Sequence, residues 1–284
     1  MIITGTPKIQ GPSARWIVWE TTALDNLQRE LCASADFLWT PSIWGRDNLI
    51  ANGITANRVS VVPEGVDADF FRPRVKKQGQ RFRFLMVGKW EVRKCVESLL
   101  EAFTEEFNER EDVELYLHAH NPYEPHVSLE DRVSQAGFRH AKKVILGKPC
   151  TRVALRELYQ SAHCFVLPTR AEGWGLPILE SMACGVPAIV TRYSAPLDYL
   201  NDENGYLLNV ESMVAAHDEV FDIHTGCWAE QDVGHLRHLM RAAFEDRQQL
   251  VEKGRLARLT AEQFTWRHTA QRSLQTMREH LSVK

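Results

Sequence analysis

The sequence predicts an α/β protein, with a doubly wound parallel sheet in its larger C-terminal part and a reduced α/β unit before it. Three observations predict this. From about residue 80 onward, strand-length apolar runs alternate with helical patterns. The runs are nearly continuous in apolar character, as expected of parallel strands covered on both faces. Between the two parts lies the segment 71–83, which holds six basic residues (Arg72, Arg74, Lys76, Lys77, Arg81, Arg83), one proline, one glycine and no acidic residue. It reads as a linker, in the main a solvated one, with contact to anionic lipid as the other option.

The elements follow in order. In the first unit, residues 1–70, "WIVWE" (16–20), "DFLWTPS" (36–42) and "RVSVV" (58–62) read as strands, with helices near 23–34 and 44–53. Three strands fall short of a complete nucleotide-binding sheet. In the second unit, residues 71–284, the strands are "RFLMVG" (83–88), "VELYLHA" (113–119), "KVILG" (143–147), "CFVLPT" (164–169) and "PAIVT" (187–191). A helix carries Val96, Leu99, Leu100, Phe103 and Phe107 at helical spacing. Another carries Leu155, Leu158, Tyr159 and Ala162 behind a cap at Thr151.

Composition narrows the function classes. A net charge of −3 argues against a general nucleic-acid binder. The six cysteines show no CxxC and no metal-ligand spacing, and four of them sit in apolar runs, so buried reduced thiols are expected. The opening "MIITGTPKIQGPSARW" lacks a basic end followed by a long apolar region, and no stretch approaches the length of a membrane span. A cytoplasmic location is expected.

The densest chemistry lies just after the strand "CFVLPT", in "AEGWGLPILESMACG" (171–185). Pro177 suits a first helical position and Gly185 a left-handed stop. Side chains on such a helix tilt toward its start, so Glu180 leans back toward the loop carrying Glu172. Gly173 and Gly175 let that loop approach a ligand, and free amides around Gly175, Leu176 and Ile178 favour an anion. Two carboxylates beside an anion site call for a ligand with hydroxyls and phosphate, and a nucleotide sugar has both. "MVGKWEVRKC" supplies cations: Lys89 and Lys94 follow a strand ending at Gly88 and would neutralise a departing diphosphate. No DxD-like pair suggests a divalent ion. The side chains of Lys94, Glu172 and Glu180 are expected to face a solvent-filled cleft.

At these residues the chain resembles the GT-B glycosyltransferases, in the large retaining family usually numbered four. "EGWGLPILE" is similar to its E-x7-E motif, with Trp174 where Phe is more usual. "MVGKWEVRKCVESLLEAF" resembles its strand-Gly-Arg, loop, Lys-Gly, helix pattern, with Lys89 at the Arg position and Cys95 at the Gly. "VVPEGVDADFFRP" resembles the inter-domain segment, and "FTWRHTAQRSL" the terminal helix that crosses back to the first domain. The resemblance covers about residues 36–282. It implies that Glu172 contacts donor-sugar hydroxyls, Glu180 the ribose, and Lys89 and Lys94 the diphosphate. Gly88, Gly173, Trp174, Gly175, Leu176 and Pro177 would line the donor, and no metal or other cofactor is expected. The implied acceptor is a glycan, a lipid-linked molecule or a protein.

Two departures stand out. The first unit is much shorter than the family's. The first histidine of the chain is His118, so the histidine that the family commonly places beside the sugar is absent from the first unit. Two rivals therefore stay open: a non-catalytic nucleotide-sugar-binding module, or half of a split enzyme completed by a partner chain or a second copy. A GT-B phosphorylase is a further alternative. His118, His120 and His126 have metal-like spacing but no visible supporting groups. Trp16, Trp19, Trp39 and Trp44 read as core or inter-unit residues.

Overall fold

The computed structural model describes residues 11–75, 79–138 and 143–282. Lys76 and Lys77 of the linker lie outside the described residues, as does the start of the chain through residue 10.

Strands β1 (Ala14–Trp16), β2 (Phe37–Thr40) and β3 (Val59–Val61) form a parallel three-stranded sheet in that order. The first strand lies two residues earlier than "WIVWE" predicts. Ile17 still donates to the Trp39 carbonyl at 2.7 Å, and the chain then leaves the sheet as an extended strap. Helix α1 (Asn26–Ala33) is started by an Asp25 capping box. Helix α2 (Ile43–Ala51) is started by Ser42, which accepts from the Gly45 amide. A small core of Leu24, Cys32, Ala35, Leu38, Leu49, Ile54 and Val59 closes this unit.

The second sheet contains β4 (Phe82–Val87), β5 (Val113–His118), β6 (Val144–Leu146), β7 (Cys164–Leu167), β8 (Ala188–Thr191) and β9 (Tyr206–Leu208). Every pairing is parallel, and the order is β6-β5-β4-β7-β8-β9. The chain winds outward from β4 and then restarts at β7 in the other direction. The switch point therefore lies between β4 and β7, where a doubly wound sheet opens its ligand crevice. Helices α3 (Val96–Glu106), α4 (Leu129–Gln135), α5 (Arg152–Ser161) and α6 (Leu176–Ala183) follow β4, β5, β6 and β7 respectively. Thr151 caps α5 as predicted, accepting from the Ala154 amide at 3.3 Å.

Strand β9 and the hairpin after it extend the prediction. Strand β9 adds a sixth strand. Strands β10 (Val210–Ala215) and β11 (Cys227–Gln231) form an antiparallel hairpin outside the sheet. Helices α7 (Val233–Glu245) and α8 (Arg247–Ala261) then lead to α9 (Trp266–Ser282), which returns to the first unit. There Trp39 Nε1 donates to Thr276 Oγ1 at 2.9 Å, Thr269 Oγ1 donates to the Pro63 carbonyl at 2.7 Å, and the His280 ring stacks on Phe37. Trp44 meets Tyr193 edge-on across the two units. The linker is partly anchored: Phe71 is buried in the larger core, while Arg81 and Arg83 pair with Asp112 and Glu114. All six cysteines are free, and Cys32, Cys95, Cys164 and Cys184 are buried. Among the described residues no helix is long and apolar enough to cross a membrane.

Candidate active site

The loops after β4 and β7 meet at the switch point. After β4 the chain passes Gly88 and makes a 3-10 turn at Val92–Lys94. That turn directs both Arg93 and Lys94 inward, and both are buried. The Lys94 stem runs past Gly88 at ordinary contact distance, a Cβ there lying 3.9 Å from its Cδ and Cε, and the tighter neighbour is Met86 Cε at 3.3 Å. Cys95, which stands where the resembled pattern has glycine, is left-handed with φ 50°. Glycine adopts that conformation without strain, whereas an L side chain there costs about 1 kcal/mol or more.

After β7, Glu172 enters the same space. Lys94 Nζ lies 2.5 Å from Glu172 Oε1, and Arg93 Nη1 lies 3.0 Å from that same oxygen. Burial pushes the Glu172 carboxyl up, but the charges of Lys94 and Arg93 outweigh it and hold the group below its ordinary value. Arg93 also reaches Glu91 Oε1 at 2.6 Å, Glu20 Oε2 at 3.0 Å and the Ala171 carbonyl at 2.5 Å. Burial works against its charge, and the three carboxylates more than compensate, so the guanidinium is held even more firmly protonated than usual. Lys89 stands at the rim. It pairs with Glu91 Oε2 at 3.3 Å, and its ammonium faces the rings of Phe221 at 4.4 Å and Tyr123 at 5.1 Å.

The site is thus a network of three cations (Lys89, Arg93, Lys94) and three carboxylates (Glu20, Glu91, Glu172). Sequence reasoning missed Arg93, Glu91 and Glu20. The first two lie inside "MVGKWEVRKC", between the chosen lysines, and only the turn geometry reveals which side chains face inward. Glu20 arrives from the first unit on the strap after β1. Its carbonyl accepts from Trp228 Nε1 at 2.7 Å, so the β10–β11 hairpin holds the strap in place. Burial raises the Glu20 carboxyl, Arg93 pulls it back and Glu172 pushes it up again, with a net upward shift. The expectation that Lys94 and Glu172 face open solvent is corrected: buried ion pairing has drawn both inward.

The rest of 171–185 divides into backbone and side-chain roles. A Cβ on Gly173 would lie 2.3 Å from Val18 Cγ1 and 3.0 Å from the Trp19 carbonyl, so only glycine lets the loop pass the first unit. Helix α6 begins one residue earlier than predicted, which puts Pro177 at its second position behind a left-handed Gly175. The amides of Gly175 and Leu176 donate no hydrogen bond among the described residues, but that of Ile178 is bound to the Gly175 carbonyl at 2.9 Å and is not available. The Trp174 side chain is core, packed on Tyr199 and Phe264, and its carbonyl accepts from Tyr199 Oη at 2.7 Å, so it does not line the donor as the resemblance implies. Gly185 ends the helix as predicted: its amide donates to Met182, and that of Val186 to Ser181. His118 faces Cys150, Nε2 to Sγ 3.8 Å.

Glu180 sits on the α5 side of the crevice, where Tyr159 Oη donates to its Oε2 at 2.9 Å. Burial pushes its carboxyl up to about 6, and the Tyr159 hydrogen bond and the Arg152 charge offset only part of the rise. A carboxyl raised when folded favours the protonated state. Its stabilising contribution is complete below the ordinary value of 4.5 and is lost as pH rises through about 6. At pH 7 the ionised group therefore costs the fold on the order of 1–2 kcal/mol. Glu180→Gln is expected to raise the melting temperature of the ligand-free protein at pH 7 by about 2–4 °C and to leave it nearly unchanged at pH 4. A sharp fall at pH 7 would mark the carboxylate as a structural element of α6.

A doubly wound sheet of this order, facing a second α/β unit across a charged crevice, defines a GT-B-like fold. The comparisons agree. Residues 81–222 match the family described as Glycosyl transferases group 1. The chain belongs to that family. A D-inositol 3-phosphate glycosyltransferase of Paenarthrobacter aurescens is 26% identical over 247 residues, which is 83% of this chain and 55% of the relative. A sulfoquinovosyl transferase of Arabidopsis thaliana is 25% identical over 88% of this chain and 46% of its own length. The chain therefore spans about half the length of the curated relatives it matches. Among solved structures, a sucrose-phosphate synthase from Thermosynechococcus elongatus has a TM-score of 0.71 at 19% identity, covering 92% of this chain and 63% of that one. The Anabaena protein HepE, solved with UDP and glucose, has a TM-score of 0.69 at 16% identity, covering 94% of this chain and 71% of its own.

Proposed function

We propose that the chain is a glycosyltransferase that moves a sugar from a nucleotide-diphosphate donor to an acceptor hydroxyl, with retention of configuration and without a metal. The observation that carries this reading is the meeting of Lys94 Nζ and Glu172 Oε1, 2.5 Å apart, at the sheet's switch point. A donor diphosphate would compete with Glu172 for Lys94 and draw on Lys89 at the rim. Both lysines gain most as the sugar–phosphate bond breaks and charge grows on the leaving group. With Arg93 they supply the positive charge that a divalent ion would otherwise bring. The amides of Gly175 and Leu176 add donors for phosphate oxygens. Both cations hold Glu172 by Oε1, so Oε2 is the atom a sugar hydroxyl would meet, and Glu180 would take the ribose. No side chain at the site is an evident nucleophile. The reading is therefore same-face attack, with the departing phosphate helping to take the acceptor proton. The six free cysteines are in keeping with a reducing, cytoplasmic setting. The acceptor would be a glycan, a lipid-linked molecule or a protein.

The test uses the purified full chain with uridine- and guanosine-diphosphate sugars. Slow donor hydrolysis is expected, and its product sugar should keep the donor's anomeric configuration by NMR. An inverted product would remove the mechanism. A second reading, a donor-binding half that needs a partner chain or a second copy, is favoured by the internal saturation of the charged groups. It predicts saturable binding of nucleoside diphosphate with no hydrolysis.

A further inference from the structure

The tip of the β10–β11 hairpin carries four side chains that the proposed reaction does not use: His217, Glu219, Asp222 and His224. All are exposed. Nδ1 of His224 lies 3.2 Å from Nδ1 of His217. The other nitrogen of each ring is held by a carboxylate: His224 Nε2 lies 3.1 Å from Asp222 Oδ1, and His217 Nε2 lies 3.0 Å from Glu219 Oε1. An ionised carboxylate only accepts, so each Nε2 carries the ring hydrogen and each Nδ1 presents its lone pair. Two lone pairs converging at this distance repel unless a cation stands between them.

At this distance a proton shared between the rings can play that part, and so can a metal ion. Two imidazole nitrogens bound tetrahedrally to zinc at about 2.0–2.1 Å lie about 3.3 Å apart, close to the separation seen here. A carboxylate on the far N–H is the arrangement that fixes the tautomer of a metal-bound histidine and strengthens it as a ligand. Ligand atoms of His217, Glu219 and His224 all lie within 4.8 Å of one another. The loop is also shaped to hold them. Asp218 and Ile223 form an antiparallel bridge, Asp218 Oδ1 accepts from the amides of Val220 and Phe221, and Asp222 is left-handed at φ 51°.

We propose that His217 and His224 bind one divalent transition-metal ion of the zinc type through their Nδ1 atoms, with Glu219 and Asp222 as the carboxylates that orient them. Paired imidazole nitrogens select such ions over magnesium or calcium, which take oxygen ligands. The same tip carries Phe221, whose ring covers Lys89, so the ion would tie down the loop over one rim of the crevice. The site itself does not depend on the proposed reaction.

The test is calorimetric titration of the full, untagged chain with zinc chloride. Saturable binding of one equivalent is expected, with no competition from excess magnesium. Asp222→Asn should weaken it about 10–100-fold, as loss of an orienting partner does. The His217→Ala/His224→Ala double variant should abolish it while leaving the zinc-free melting temperature unchanged, because both rings are exposed. Absence of saturable binding, or unchanged affinity in the double variant, would overturn the proposal.

Discussion

Lys94→Met is expected to lower donor turnover by about 10²–10³-fold while donor affinity falls far less. Methionine keeps the buried stem beside Gly88 and removes only the charge. The charge matters most when the diphosphate leaves, because an interaction that strengthens along the reaction lowers the barrier rather than the ground state. The ammonium is already desolvated, so no water has to be stripped from it during the reaction. Glu172 retains its Arg93 contact at 3.0 Å in the variant, and the fold should tolerate the change better than loss of the arginine itself. Lys89→Met should cost less, since that ammonium is half-open and shared among Glu91, Phe221 and Tyr123. The measurement is single-turnover donor cleavage. A rate within about threefold of the parent would assign Lys94 to the ion network alone.

The larger sheet was readable because its strands are short, apolar and bounded by turn residues, and because helices of the right period separate them. Strand β9 was not, since "YLL" is only three residues long and lies among Asn, Asp and Gly. The β10–β11 hairpin was hidden for the opposite reason. "VESMVA" is largely exposed, and a connection of eleven residues rather than a two-residue turn joins it to its partner. "WIVWE" has the composition of a strand, yet most of it is the strap that takes Glu20 to the crevice. The site divides in the same way. Lys89, Lys94, Glu172 and Glu180 stand at spacings a sequence can show. Arg93 and Glu91 needed the 3-10 turn to separate inward from outward charges. Glu20 lies far from all of them in the chain, and only the inter-unit packing brings it in. Burial of Lys94 and Glu172 could not be inferred either, because it depends on carboxylates and cations contributed by three separate segments.

That mutual dependence makes Arg93→Met the most damaging single change expected for the fold. The guanidinium is buried and touches three carboxylates and the Ala171 carbonyl, a pattern that a planar fork of donors can satisfy and a lysine cannot. Without it, Glu91 keeps Lys89 and Glu172 keeps Lys94, while Glu20, part-buried with 33% of its side chain exposed, is left without a cation. Removing one partner of a buried ion pair costs about 3–5 kcal/mol, mainly through the charge left behind. The pH dependence separates this cause from simple loss of packing. Stranded carboxylates have raised folded-state values, so they destabilise most above those values and cease to do so as pH falls and they protonate. Glu20, already shifted upward in the parent, should protonate early among them. Denaturant unfolding of parent and variant at pH 7 and pH 5 measures both effects: a deficit of about 3–5 kcal/mol at pH 7 that shrinks at pH 5. A deficit below about 1 kcal/mol would mean that water reaches and solvates the carboxylates, and an equal deficit at both pH values would mean that the lost term is packing of the arginine stem.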